Sequence, residues 1–161
     1  MTPVAGAAIE ATRANVLPRY DPPPSWELGA PFWAAIERGE LALPQCSICH
    51  RWQWYPDHGG TDCSGGEFRW TTVAPTGTVY SLTRVHRSFL PRGRDHAPYL
   101  VGLVDLDGLV GVDGVDGPRL VANLEDVSDM QIGARVQLQV QQLENRKHPV
   151  FALLPSVGGS A

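Results

Sequence analysis

Gly77-Thr-Val-Tyr-Ser-Leu-Thr-Arg-Val-His86 decides the fold. Val79, Ser81, Thr83 and Val85 alternate with Tyr80, Leu82 and Arg84, the period of two that a strand with one covered face requires. β-Branched and aromatic residues dominate it, as strands prefer. Four stretches downstream share this character: Tyr99–Leu106, Arg119–Leu124, Ala134–Leu143 and Val150–Leu154. In the third of these, Val136, Leu138 and Val140 alternate with glutamines. Val112-Asp-Gly-Val-Asp-Gly117 carries two Asp-Gly turn signals. Five short strands with turn chemistry between them predict a small Greek-key barrel of the OB type, or a small sandwich, over residues 73–155.

Upstream the pattern changes. Pro31-Phe-Trp-Ala-Ala-Ile-Glu-Arg-Gly39 places Phe32, Trp33 and Ile36 on one helical stripe, within an N-terminal helical segment at 26–44. Pro31 suits the first turn and Gly39 the stop. Leu41-Ala-Leu43 reads as a short strand. Residues 45–72 hold all three cysteines and Trp52, Trp54 and Trp70. Such a module is too short for its own core without a staple such as a metal. Residues 1–25, with Pro22-Pro23-Pro24, read as an extended arm, either a mobile tail or a segment that wraps a partner. Residues 156–161 form a tail.

The 161 residues are 43% hydrophobic and 19% charged, which is globular material and not a disordered chain. Lys+Arg 13 against Asp+Glu 17 gives a net charge of −4, the wrong sign for a protein that binds nucleic acid through its phosphates. No apolar run approaches the ~20 residues of a membrane span, and the N-terminus lacks the order of a signal peptide. With an odd cysteine count these features predict a cytoplasmic chain with reduced thiols or a metal site.

Cys46-Ser-Ile-Cys49 has the spacing that brings two thiolates to one tetrahedral metal. Only Cys63 follows, so one ligand of a four-cysteine set is missing. His58 is the candidate replacement, and His50, fixed beside Cys49, is the weaker one. The module is then either a zinc site of Cys46, Cys49, Cys63 and His58, or a ribbon that has lost its metal and keeps its shape by packing tryptophans. No catalytic residues are expected: the cysteines lack a positioned base, and no phosphate loop, dinucleotide glycine motif or serine elbow is present.

The order of these parts resembles the family once labelled "domain of unknown function 35". Phe32-Trp33, Gly39-Glu-Leu41, Cys46 and Cys49, Tyr55-Pro56, and Cys63 with Trp70 carry the first half of the resemblance. Gly77–Ser81, Val85-His86-Arg87, Pro98-Tyr99-Leu-Val101, Leu120–Leu124 and Ile132-Gly133 carry the second. The resemblance implies a mainly β protein: an N-terminal helix, a degenerate rubredoxin-like zinc ribbon with Gly60 in the third ligand place, and a C-terminal five-stranded OB-fold barrel. It also implies a non-catalytic accessory subunit of a thiolase-like acyl-CoA enzyme (thiolase, aldolase or acyltransferase), which supplies the reacting groups. The alternative is an OB-type single-stranded nucleic-acid binder.

Arg84, Arg87, Arg92 and Arg94 cluster with His86 and His96 in the one basic patch. It reads as a solvated loop, as a contact with coenzyme A phosphates or a partner, or as a nucleic-acid contact. Trp26, Trp52 and Trp54 are the candidate partner anchors, since tryptophan is enriched at interfaces.

Overall fold

The structure is a computed structural model, and it describes residues 27–56, 67–87, 97–109, 117–142 and 147–155. The expected arm at 1–25, Trp26, His58, Cys63, Arg92 and Arg94 lie outside the described residues.

Helix α1 spans Ala30–Arg38. Proline occupies its first turn, and Gly39 ends it in the left-handed region at φ 81°, where its N–H reaches the last carbonyls. Nine residues make too short a helix to stand alone. It is held by burial of Phe32, Ala35 and Ile36. Each of the two large side chains contributes about 1.5–3 kcal/mol when removed from water.

Strands β1 (Ala42–Cys46) and β2 (Phe68–Thr72) form a two-stranded antiparallel sheet. β2 was not expected from the sequence. The barrel follows: β3 (Thr76–Val85), β4 (Tyr99–Leu106), β5 (Arg119–Leu124), β6 (Arg135–Gln142) and β7 (Lys147–Leu153). It is closed, in the order β3-β4-β5-β7-β6, which excludes the sandwich. β5 and β7 pair in parallel through Asn123–Val150 and Leu124–Phe151, and the other pairs are antiparallel. Val79, Leu100, Val104, Leu120, Leu124, Val136 and Phe151 fill the interior, continuous with Phe32, Ile36, Leu41 and Leu43 of the N-terminal module.

The simple alternation expected along β3 is broken. Val79 pairs with Val104, but Ser81 pairs with Leu103, so Tyr80 is the extra residue of a β-bulge. Beyond it the faces exchange, and Leu82, opposite Gly102, joins the core side that Val79 occupies. Gly102 is required there: a Cβ would lie 2.6 Å from the Ser81 carbonyl oxygen and 2.7 Å from Leu124 Cδ1. Among the described residues no helix is long and apolar enough to cross a membrane.

Candidate functional site

Cys46 ends β1, opposite Phe68. Its N–H donates to the Arg51 carbonyl at 2.9 Å, and its carbonyl accepts the His50 N–H at 3.1 Å. Ser47 N–H reaches the Glu67 carbonyl at 2.9 Å, and Gln45 bridges Trp52. His50 adopts φ 57°, the left-handed conformation that closes this tight loop. The turn carries a buried Cys46 and a half-buried Cys49. This backbone fits the first half of a metal knuckle. Among the described residues, no group of three or more His, Cys, Asp or Glu side chains is placed to hold a metal. The described part of the module is thus a two-stranded sheet with a two-cysteine turn.

An aromatic chain runs from this module to the barrel. Tyr55 meets Trp54 at 5.5 Å between ring centroids, Trp54 meets Phe32 at 4.7 Å, and Phe32 meets the edge of Trp33 at 5.3 Å. Trp33 lies 6.4 Å from the His148 ring. His148, on β7, is 4% exposed, and its Nε2 lies 2.8 Å from Asn123 Nδ2 on β5. Trp52 and Trp54 are half-buried and pack against the core, while Ile48 and Tyr55 are the exposed apolar side chains at this end. Sequence reasoning missed the His148–Asn123 pair, because it began the last strand at Val150 and left His148 in a loop.

The structure does not treat the arginines alike. Arg84 makes a two-pronged ion pair with Asp126, in which Nη2 to Oδ1 is 2.6 Å and Nη1 contacts Oδ2. That hydrogen bonding holds the guanidinium even more firmly charged than usual. Arg87 is exposed just beyond β3. At the far end of the barrel Arg135 binds Asp107 through two N–H groups at 2.7 and 2.6 Å and also reaches Thr78 Oγ1. The Arg135 hydrogen bonds, aided by one from Thr76, push the Asp107 carboxyl down to about 2. Arg119 pairs with Asp105 at 2.8 Å and lays its guanidinium 3.7 Å from the centre of the Tyr80 ring.

Residues 70–141 match the family described as the ChsH2 C-terminal OB-fold domain. The structure is also similar to a solved structure titled "Ltp2-ChsH2(DUF35) aldolase", with TM-score 0.62 and 27% identity, over 81% of this chain and 98% of that one. Residues 70–141 are thus similar to that OB-fold domain, and the fold is similar to that of a DUF35-containing aldolase.

A DUF35 protein of unknown function from Sulfolobus solfataricus shares the fold at TM-score 0.51 and 14% identity, over 91% of this chain and 96% of that one. No curated protein matches the sequence. On this barrel the most exposed aromatic ring among the described strands, Tyr80, is already stacked on by Arg119. It is not the open platform on which a base would stack.

Proposed function

We propose that this chain is a non-catalytic accessory subunit of a thiolase-like acyl-CoA enzyme, of the thiolase, aldolase or acyltransferase kind. The observation that carries this reading is the likeness to the Ltp2-ChsH2(DUF35) aldolase, which extends over nearly the whole of that relative. In the proposed division of labour the partner supplies the nucleophile and the acid–base groups. This chain stabilises it and helps shape the acyl-CoA site. Arg87, with Arg92 and Arg94, is proposed to meet the coenzyme A phosphates, for which guanidinium forks suit. Arg84, held by Asp126, is proposed to order the strand end beneath them. Cys46 and Cys49, with Cys63 and His58, are proposed to hold zinc, which would act as a structural cross-link only.

Affinity purification of the full-length chain from its native host tests the reading. A stoichiometric thiolase-fold subunit should accompany it. Acyl-CoA turnover should require that subunit and be lower or shorter-lived without this chain. Salt-sensitive binding of single-stranded nucleic acid, with no such subunit recovered, would establish the alternative instead.

A further inference from the structure

The exposed aromatic rings among the described residues are Tyr80 and Tyr55. Arg119 lies over the first. Tyr55 is 58% exposed and meets Trp54 at 5.5 Å between centroids, with the ring planes 72° apart. The two rings make a ledge with two walls. Its inner wall is fixed, because Trp54 also rests on Phe32 of α1 at 4.7 Å. The backbone beneath is fixed as well: Gln53 donates its N–H to the Pro44 carbonyl of β1 at 3.1 Å and its Nε2 to the Tyr55 carbonyl at 3.4 Å. A ledge built in advance keeps the ordering cost of a segment that lies on it low.

The chain delivers an occupant to this place. The described residues begin at Glu27, whose carbonyl accepts the Ala30 N–H at 3.0 Å in the turn that starts α1. In that turn Gly29 lies against the Tyr55 hydroxyl: a Cβ there would stand 2.7 Å from Tyr55 Oη and 3.3 Å from Cζ. The chain that precedes α1 therefore leaves from beside the Tyr55 ring. Pro24, the last of Pro22-Pro23-Pro24, stands five residues before Gly29, within a reach of ~17 Å. Three successive prolines favour polyproline II, which has no internal hydrogen bonds and docks in aromatic-lined grooves. Two of them span ~6 Å, which matches the 5.5 Å between the rings. The Tyr55 hydroxyl can donate to a polyproline carbonyl while its ring covers the pyrrolidines.

We infer that the Trp54–Tyr55 ledge is the docking site of this chain's own Pro22-Pro23-Pro24 segment, held in cis as a polyproline strap beside the start of α1. The N-terminal arm is then neither a mobile tail nor a segment free to wrap a partner. The inference does not depend on the accessory-subunit reading, since both the ledge and its occupant belong to this chain.

The test uses the full-length chain. In a nuclear Overhauser spectrum the Tyr55 ring protons should show contacts to proline δ protons of residues 22–24. Trypsin should cut after Arg19, close to the docked prolines, at least about fivefold more slowly in wild type than in Tyr55→Ala, with cleavage after Arg13 as the internal reference. Replacing Pro22, Pro23 and Pro24 together by glycine should release Arg19 to the same extent. Combining the two changes should add nothing, since both remove the same contact. Tyr55→Phe keeps the ring and should retain most of the protection. Circular dichroism checks the fold of each variant, and the glycine variant, which alters no described residue, decides alone if Tyr55→Ala unfolds. Absent contacts, with Arg19 cut equally fast in wild type and the glycine variant, overturn the inference and leave a mobile tail. Contacts seen only between differently labelled molecules, with a dimer by light scattering, place the strap on a second copy and overturn it too. Protection that arises only when a partner enzyme subunit is added assigns the arm to that partner, and the inference falls.

Discussion

Glu37 and Lys147 hold each other twice. The Glu37 carboxylate accepts the Lys147 backbone N–H at 2.8 Å, and the Lys147 ammonium donates to the Glu37 carbonyl oxygen at 2.7 Å. One residue lies in the last turn of α1 and the other opens β7, so the two bonds fasten the N-terminal module to the barrel. The ammonium also sits where the helix dipole favours a cation. Beside this clasp the Trp33–His148 contact continues the aromatic chain across the same seam.

Glu37→Ala should therefore loosen the seam without unfolding the barrel. One exposed hydrogen bond contributes about 0.5–1.5 kcal/mol. For a chain of this size that lowers the melting midpoint by about 2–4 °C per kcal/mol. Tryptophan fluorescence reports it directly, because Trp33 and Trp54 line the seam. An unchanged midpoint would mean that the aromatic contacts hold the module alone.

Asp107 makes a pH prediction. Its carboxyl is held at about 2 in the folded chain, below the ~3.9 of an unfolded aspartate. Between these values the unfolded chain binds the extra proton, so stability falls as pH drops from about 4 through about 2. Above that window the contribution is complete. The pair is half-exposed, so its worth is about 0.5–1 kcal/mol. Asp107→Asn should lower the urea midpoint at neutral pH and flatten its acid dependence. A variant that retains the wild-type acid slope would place the titration on another group.

The barrel was legible in the sequence because β4 and β5 obey their local pattern: both match the expected bounds, Tyr99–Leu106 and Arg119–Leu124. β3 was located, but its faces were misread, since a bulge at Tyr80 leaves no trace in composition. β7 starts earlier than expected because Pro149 interrupts the pattern. In the barrel Pro149 faces Val140 at a site that makes no hydrogen bond to β6, and β5 pairs only from Asn123 onward. The proline therefore costs no ladder bond. The cysteine turn was legible from spacing, whereas β2 was hidden among loop residues and emerges only because β1 supplies its partner. The pairing of Arg84 with Asp126, 42 residues away, is tertiary information that a run of arginines does not contain.

The metal prediction concerns Cys46 and Cys49. Protein purified without chelator should carry about one zinc per chain, with thiolate sulfurs at ~2.3 Å by X-ray absorption. Cys46→Ser should release it and lower the melting midpoint, because Cys46 is buried at the end of β1. Less than about a tenth of an equivalent, with the wild-type fold retained, would show that the aromatic chain replaces the metal as the staple.

The last prediction separates the arginines. Arg84→Ala leaves Asp126 without its partner, and the Asp126 side chain is only 12% exposed. The expected reading is a loss of stability, partly restored in Arg84→Ala/Asp126→Ala, since removing both partners strands no charge. Arg87→Ala breaks no ion pair among the described residues and should leave stability unchanged. Combined with Arg92→Ala or Arg94→Ala, it should raise the KM for the acyl-CoA substrate of the assembled enzyme while the complex stays intact. A shielded charge-assisted contact contributes about 1.5–3 kcal/mol and an exposed one much less. The size of the KM change therefore measures how deeply the phosphates are enclosed. A changed KM in Arg84→Ala with unaltered stability would reverse the assignment and make Arg84 the ligand contact. Disrupted assembly with unchanged KM would make the patch part of the interface.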